Sequence, residues 1–217
     1  MDHESRHQTV GLDAKKKSIG ATERNEEERA VWRANASKLP TENLVFIDET
    51  GSNIALTPLY ARAPKGERAR GQVPRNRGKN TTLIAALSLS GMGAAMILEG
   101  SANTIAFEVY VEQVLVPSLQ PGQIVVMDNL QAHKSARIKQ AIEAKGCQLL
   151  FLPSYSPDLS PIEEAFSKLK TALRRTGART REALEEALGQ ALLTITAQDA
   201  QGWFHYCGYT LPQERKS

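Results

Sequence analysis

Two short apolar runs, each ending on an aspartate, constrain the fold of this 217-residue chain more than any other feature. Residues 44–47 lead to Asp48, and residues 124–127 lead to Asp128. Short runs of large or β-branched apolar residues that end in polar ones are typical of strands buried on both faces. In open α/β sheets, ligands bind beyond the carboxyl ends of such strands. The sequence therefore predicts a layered α/β fold in which both aspartates face a ligand site.

A third acidic position comes from the stretch Tyr155–Lys170, in which a proline-containing loop precedes a helix. Pro161 suits the first helical position, and Ser160 suits the N-cap before it. Apolar residues then recur at helical spacing and predict one buried face: Ile162, Ala165, Phe166, Leu169 and Leu173. Glu163 and Glu164 lie in the first turn, where the helix dipole favours negative charge. On this stretch alone, both glutamates are equally well explained as residues that only stabilise the helix start.

A cluster of Asp48, Asp128 and a glutamate would be electrostatically unfavourable by itself. At ~4 Å and an effective dielectric constant of ~20, each pair of carboxylates costs roughly 4 kcal/mol. Magnesium and manganese are hard divalent cations that prefer oxygen ligands, and either would relieve this repulsion. The three carboxylates therefore indicate a divalent metal site.

Three segments of the chain resemble the catalytic blocks of the mariner-like DDE transposases. They are residues 46–50 (Phe-Ile-Asp-Glu-Thr), 128–133 (Asp-Asn-Leu-Gln-Ala-His) and 156–163 (Ser-Pro-Asp-Leu-Ser-Pro-Ile-Glu). The resemblance is closest to the bacterial insertion-sequence branch and covers roughly residues 40–207. The 34 residues 129–162 separate Asp128 from Glu163, which is the interval that the family uses. This spacing favours Glu163 over Glu164 as the third acidic residue.

The resemblance implies a ribonuclease-H-like fold, with a mixed central sheet flanked by helices. It implies that Asp48, Asp128 and Glu163 are catalytic and bind Mg²⁺ or Mn²⁺ as two ions. The implied activity is DNA strand cleavage and strand transfer in cut-and-paste transposition of an insertion sequence. The implied partners are double-stranded DNA, as terminal inverted repeats and target, and a second copy of the chain in a synaptic homodimer. Two alternatives remain open: a ribonuclease-H-type nuclease, and a catalytically idle DNA-binding remnant of a truncated transposase.

Residues beside the three carboxylates allow more than one interpretation. His133 matches the family pattern and would orient a water or contact a phosphate, or else cap the next helix. Asn129 would form hydrogen bonds near the metals or only shape the strand exit. Glu49 is interpreted as structural, because neighbouring strand residues point to opposite faces of a sheet. Asp158 is interpreted as a turn residue.

The most basic stretch of the chain is residues 62–79, which precede a strand predicted over residues 81–89. It contains a single acidic residue, Glu67, and seven basic residues: Arg62, Lys65, Arg68, Arg70, Arg75, Arg77 and Lys79. Prolines and glycines interrupt any regular element here, although an irregular strand is predicted over residues 54–60. Such local, one-sided charge predicts contacts to DNA phosphates, and the alternative is a merely solvated loop.

We divide the chain into three parts: a polar segment with a linker helix at 1–40, a catalytic domain at 41–207 and a tail at 208–217. Val31 and Trp32 are expected to dock the linker helix, predicted over residues 23–37. The lysine run at 15–17 is interpreted as solvated. Only about forty residues precede the first strand, too few for the usual pair of helix-turn-helix domains, so a separately encoded helix-turn-helix half is expected.

Composition bears on the compartment more than on the chemistry. The two cysteines form no CxxC pattern, which fits a reducing cytosol. No apolar run approaches the ~18 residues of a membrane span. These features predict a cytoplasmic protein, and the resemblance to bacterial insertion-sequence transposases implies a bacterial protein associated with the nucleoid. The net charge of +3 says little about nucleic acid.

Overall fold

A five-stranded mixed sheet organises the protein, and the computed structural model describes residues 21–130 and 133–212. The strands are β1 (Leu44–Ser52), β2 (Thr81–Ser88), β3 (Gly91–Glu99), β4 (Ile124–Met127) and β5 (Gln148–Phe151). Their order across the sheet is β3-β2-β1-β4-β5. β1, β2 and β3 pair antiparallel, whereas β1, β4 and β5 pair parallel. The predicted mixed α/β architecture is therefore confirmed.

Helices cover both faces of this sheet. They are α1 (Glu26–Ala36), α2 (Thr104–Tyr110), α3 (Val116–Ser118), α4 (Ala136–Ala144), α5 (Pro161–Thr176), α6 (Arg181–Leu193) and α7 (Ala197–Tyr206). A π-helical segment, Val111–Leu115, joins α2 to α3, and 3₁₀ turns occupy Thr41–Asn43 and Pro157–Leu159. No helix within 21–130 and 133–212 is long and apolar enough to cross a membrane.

Strand β1 is buried on both faces, as its apolar run predicts. Leu44 and Phe46 pack in one hydrophobic cluster with α5, α6 and α7. Val45 and Ile47 pack in a second cluster with α2, the π segment and α4. Successive side chains of a strand point to opposite faces, so the same strand belongs to both cores. The predicted apolar face of α5 is confirmed as well, since all five of its residues are buried in the first cluster.

The first strand continues through the polar residues that follow its apolar run. The sequence predicts that residues 48–51 close the strand, and β1 ends one residue later, at Ser52. The parallel pairing with β4 extends from Leu44 to Phe46, whereas the antiparallel pairing with β2 continues from Phe46 to Ser52. The long partner β2 supplies hydrogen bonds to polar residues that would otherwise leave the sheet.

The prediction of a strand over residues 54–60 is wrong. The described residues from 53 to 80 contain neither helix nor strand. Arg179 donates from Nη1 to the carbonyl oxygens of Ile54 and Leu56, at 2.9 Å each, so a side chain replaces strand partners here. A turn at Leu89–Ser90 joins β2 to β3, which begins at Gly91.

Helix α1 docks differently from the prediction. Trp32 packs against the first cluster and donates to the hydroxyl of Tyr209 at 3.3 Å, but Val31 is 61% exposed. Arg29, which we did not single out, is fully buried. Tyr209 is also buried, and it packs edge-on against Phe46. The boundaries at residues 40 and 207 stay predictions, although these contacts cross both. The lysine run at 15–17 lies outside the described residues.

Candidate active site

The register of two parallel strands places Asp48 and Asp128 side by side. Phe46 pairs with Val126; Asp48 lies two residues later on β1, and Asp128 lies two residues after Val126, directly after the end of β4. Adjacent strands lie ~4.8 Å apart, and residues two apart point to the same face. Because Phe46 and Val126 both face the α5 cluster, the two aspartates are directed to that side of the sheet.

Helix α5 brings Glu163 to the same place. The helix begins at Pro161 with Ser160 as N-cap, as predicted, although the Ser160 side chain makes no capping hydrogen bond. Ile162 and Phe166 are buried in the cluster that contains Phe46, and this packing fixes the first turn of α5 over the strand ends. Glu163 therefore lies next to the carboxyl ends of the parallel strands.

One cavity of about 330 Å³ joins the three predicted carboxylates. Its lining contains Asp48, Asp128 and Glu163, although 79 residues lie between the first two in sequence. Glu164 faces a different groove, which Lys168 and Asp199 also line. The structure thus brings together the set that the interval in the sequence favours, with Glu163 rather than Glu164.

The cavity disfavours the negative charge of its own carboxylates. Burial and then the charge of Glu163 raise the pKa of Asp48 to about 8, with smaller contributions from Glu49 and Asp128. Burial also raises the pKa of Glu163, against the opposing effect of Lys170. A nearby cation would stabilise the anionic form of carboxyl groups that repel one another in such a partly closed site.

The donor set fits a hard divalent cation. Carboxylate oxygens are the ligands that magnesium and manganese prefer, and a cation would offset the burial and the neighbouring carboxylates that raise the pKa of Asp48. Within the described part of the chain, no three acidic, histidine or cysteine side chains are close enough together to hold a metal as placed. The carboxylates thus share a cavity without converging on one point.

His133 is wedged between Asp128 and Glu49. Its Nδ1 is hydrogen-bonded to Oδ1 of Asp128, and its Nε2 lies 3.2 Å from Oε2 of Glu49, although not aligned for a hydrogen bond. The ring is 2% exposed and stacks on Phe107, with ring centroids 4.1 Å apart. Burial alone would lower the pKa of His133, but the two carboxylates outweigh it and raise the pKa to about 9.

This arrangement changes the interpretation of His133. The N-cap of α4 is Ser135, whose hydroxyl accepts from the amide of Arg137. The helix-capping interpretation is therefore wrong, and the side-chain partner of His133 is Asp128. The predicted role in orienting a water or contacting a phosphate stays a prediction. Glu49 points to the opposite face from Asp48, as predicted, and it reaches the far side of the same ring.

Asn129 and Asp158 anchor the loops around the cavity. Asn129 lines the cavity and donates from Nδ2 to Oγ of Ser154 at 3.0 Å, which ties the exit of β4 to the loop after β5. Asp158 lies in the 3₁₀ turn before α5, outside the cavity lining, and makes a bidentate pair with Arg29 at 3.0 and 2.6 Å. Although burial raises it, the pairing with Arg29 lowers the pKa of Asp158 overall.

The sequence analysis missed two residues near the site. Arg29 shares the buried face of α1 with Trp32 and Ala36, three and seven residues further on, and this helical spacing could have revealed it. Tyr155 lines the cavity with a backbone φ of +55°, and no residue pattern indicates this conformation.

The predicted DNA-binding residues lie in the irregular segment 53–80. The segment leaves β1 four residues after Asp48, or ~13 Å along an extended strand. All seven basic side chains are exposed. Lys79 pairs with Glu99 at 2.6 Å, whereas the other six have no acidic partner among the described residues. These six charges are available to a ligand, which is what the phosphate-binding hypothesis requires.

Comparison with known proteins identifies the family and the fold. The family model of the DDE superfamily endonucleases matches residues 43–185. A pre-cleavage Mos1 transpososome is similar, with a TM-score of 0.72 and 17% identity, over 92% of this chain and 65% of that one. The catalytic domain of Mos1 mariner transposase gives a TM-score of 0.62 and 16% identity, over 84% of this chain and 86% of that one.

These similarities confirm the predicted ribonuclease-H-like fold. A Mos1 mariner paired-end complex with Mn also matches, with a TM-score of 0.69, 18% identity and coverage of 92% of this chain. The present chain spans 64% of the Mos1 chain in that complex. Comparison with curated proteins gives no match. The family model matches most of the chain, including the residues that form the sheet and the cavity described above. This protein therefore belongs to the DDE superfamily endonucleases.

Proposed function

We propose that this chain is the catalytic domain of a transposase, which cuts DNA strands and joins the cut end to target DNA. One observation carries the proposal: Asp48, Asp128 and Glu163 come from three distant segments and line one cavity. The family of endonucleases to which the chain belongs and its likeness to Mos1 transposase structures support the same assignment.

Asp48, Asp128 and Glu163 would hold two Mg²⁺ or Mn²⁺ ions, with Glu163 completing the shell of one. Such ions activate the attacking oxygen and stabilise the leaving oxygen of a phosphodiester. Water is the nucleophile in cleavage, and attack on phosphorus breaks the P–O3′ bond to leave a free 3′-hydroxyl. That 3′-hydroxyl then attacks a target phosphodiester, so one new bond forms for each bond that breaks.

The surrounding residues position the acidic ones. His133 fixes the orientation of Asp128 through Nδ1, while Glu49 and Phe107 hold the ring from the other side and from its face. Asn129 keeps the loop after β5 against the exit of β4. We assign no contact with the reacting atoms to His133 or Asn129.

The remaining parts of the proposal concern partners. The basic segment 62–79 would bind the phosphate backbone of terminal repeats and target DNA. A homodimer would hold two transposon ends, as a paired-end complex does for Mos1. A separately encoded helix-turn-helix half would recognise the repeats. A bacterial insertion sequence and a cytoplasmic, nucleoid-associated location complete the proposal, with the catalytic domain at 41–207.

Nicking of supercoiled plasmid tests the assignment. Wild type, Asp128→Asn and Glu163→Gln are compared with Mn²⁺, Mg²⁺ or chelator, and Glu164→Gln is the matched control on the neighbouring residue. We expect metal-dependent nicking that both site variants lose and the control retains. Nicking that survives both substitutions would refute the assignment.

A second assay separates strand transfer from simple cleavage. A labelled oligonucleotide with a free 3′-hydroxyl is incubated with plasmid, and joined products are sought on a denaturing gel. Joined product supports a transposase, whereas nicking without joining supports a ribonuclease-H-type nuclease. DNA binding without either activity supports an idle remnant.

A further inference from the structure

The cavity that holds the carboxylates is larger than metal ions require. A water molecule occupies about 30 Å³ of the liquid, so a cavity of about 330 Å³ has room for a nucleotide-sized group beside the ions. One part of its lining is apolar and consists of Leu130, Leu152, Pro153, Tyr155 and Pro157. An apolar wall beside charged residues suits a ligand that has both a phosphate and a flat aromatic ring.

Tyr155 is the exposed aromatic residue of this wall. It is 57% exposed, although it lies between Ser154 and the buried Ser156. Ser154 accepts a hydrogen bond from Asn129, and the hydroxyl of Ser156 donates to the carbonyl oxygen of Ser154 at 3.1 Å. The backbone around Tyr155 is thus anchored on both sides while most of the side chain remains in solvent.

The backbone of Tyr155 adds a second, independent observation. Its φ of +55° is the single positive value at a non-glycine residue within 21–130 and 133–212. Glycine or asparagine adopts this left-handed conformation at lower cost than a bulky aromatic residue. Strained backbone that holds a bulky ring at a cavity rim indicates a function for the ring.

We propose that Tyr155 forms a binding subsite for an unpaired nucleobase, which stacks on its ring beside the phosphodiester at Asp48, Asp128 and Glu163. Every base has a π face, so stacking on tyrosine tolerates any sequence. The subsite would hold a base that has left the duplex at the point of cleavage or joining. This inference rests on the proposed function, because it takes DNA as the ligand of the carboxylate site.

The test uses two DNA probes and three variants. One probe is a duplex whose short 3′ overhang contains 2-aminopurine, a base that loses fluorescence when it stacks, and the other is the matching blunt duplex. Tyr155→Phe keeps the ring, whereas Tyr155→Asn and Tyr155→Gly remove it and suit the left-handed backbone. Binding is measured with Ca²⁺ present, and gels establish that the probes stay intact.

We expect wild type and Tyr155→Phe to quench the 2-aminopurine, and the two ringless variants not to quench it. Removing the ring should weaken binding of the overhang probe about 5- to 150-fold, the range for one stacked base, and leave blunt-duplex binding unchanged. Equal weakening of both probes, no weakening of either, or a Tyr155→Phe variant that behaves like Tyr155→Asn would overturn the proposal.

The two ringless variants keep the test independent of folding. Both relieve the backbone strain, so we expect melting temperatures no lower than that of wild type, and either variant alone suffices if the other is unstable. Failure of the subsite leaves plasmid nicking by Asp128 and Glu163 in place. Failure of the proposed function shows instead as nicking that survives Asp128→Asn and Glu163→Gln, whatever the overhang probe reports.

Discussion

Arg29 and Asp158 form an ion pair, and removing the charge of Asp158 should destabilise the protein more than removing the charge of Arg29. Arg29 lies on α1 and Asp158 in the turn before α5, so the pair fixes the N-terminal helix to the segment that delivers Glu163. The perturbations are Arg29→Met, Asp158→Asn and the two together. Methionine keeps the unbranched apolar stem of arginine without its charge, and asparagine keeps the shape of aspartate.

The structure sets the expected magnitudes. Arg29 has 0% side-chain exposure, and without Asp158 its guanidinium retains one acid, Glu26, at 3.4 Å. An uncompensated buried charge costs ~3–5 kcal/mol, so Asp158→Asn should lower the free energy of unfolding by about that much. Asp158 is 46% exposed and has Arg24 and Arg33 at 3.7 Å, so Arg29→Met should cost only ~1–2 kcal/mol.

The double variant completes the cycle. Once methionine has replaced Arg29, the loss of Asp158 leaves no buried charge, so the double variant should be nearly as stable as Arg29→Met alone. The coupling energy is then close to the whole cost of Asp158→Asn, ~3–5 kcal/mol. Urea unfolding followed by the fluorescence of Trp32 and Trp203 measures all four proteins.

Three results would refute this reasoning: a larger cost for Arg29→Met than for Asp158→Asn, equal costs, or additive costs in the double variant. The pH dependence gives a second check. Arg29 lowers the pKa of Asp158 against the effect of burial, so the stability that this carboxylate contributes is present above its unfolded pKa of about 4. That contribution should fade as the pH falls further, and Asp158→Asn should abolish the fading.

Three other predictions concern the site and its DNA. Burial and neighbouring carboxylates raise the pKa of Asp48 to about 8, so the wild-type protein without metal should lose stability as the pH rises from 4 to 8. Over that range the free energy of unfolding of Asp48→Asn should increase relative to wild type, as measured by urea unfolding with chelator. His133→Ala should weaken Mn²⁺ binding about 10- to 100-fold by calorimetry, and His133→Asn, which keeps an N–H near the position of Nδ1, should recover most of it. Replacing Arg70, Arg75 and Arg77 together by glutamine should reduce the slope of log affinity for duplex DNA against log salt by up to about 2.7 in fluorescence anisotropy.

Each of these predictions has a result that contradicts it. An Asp48→Asn advantage that does not change with pH would mean that burial and repulsion do not act on this carboxyl. Equal losses in His133→Ala and His133→Asn would remove the positioning role of the hydrogen bond to Asp128. For the basic segment the control is Lys79→Gln, because Lys79 already pairs with Glu99. A slope change in the triple variant no larger than in this control would favour a merely solvated segment.

Local periodicity was sufficient for much of the architecture. The apolar runs before Asp48 and Asp128 predicted β1 and β4, and the helical spacing after Pro161 predicted the buried face of α5. These patterns are reliable because a strand or helix buries side chains at its own repeat whatever its partner is. The order of the three motifs and the interval between Asp128 and Glu163 likewise predicted the family.

Contacts between distant segments decided the rest. The end of β1 depends on how far β2 pairs with it, and the carbonyl oxygens of Ile54 and Leu56 accept hydrogen bonds from Arg179, far along the chain, instead of from a strand. The burial of Arg29 depends on Asp158. None of these partners lies within the window that a local pattern covers, so sequence periodicity cannot reveal them.

The difference between what local sequence determines and what tertiary packing determines is clearest at the cavity. The sequence by itself determined which acidic residues follow the apolar runs and begin the helix, because those positions follow from local apolar patterns and from motif spacing. The tertiary structure alone decided that the three carboxylates line one cavity, that His133 is buried against Asp128, and that Tyr155 stays exposed at the rim. A side chain's direction and burial depend on the packing of one element against another, which no single segment encodes.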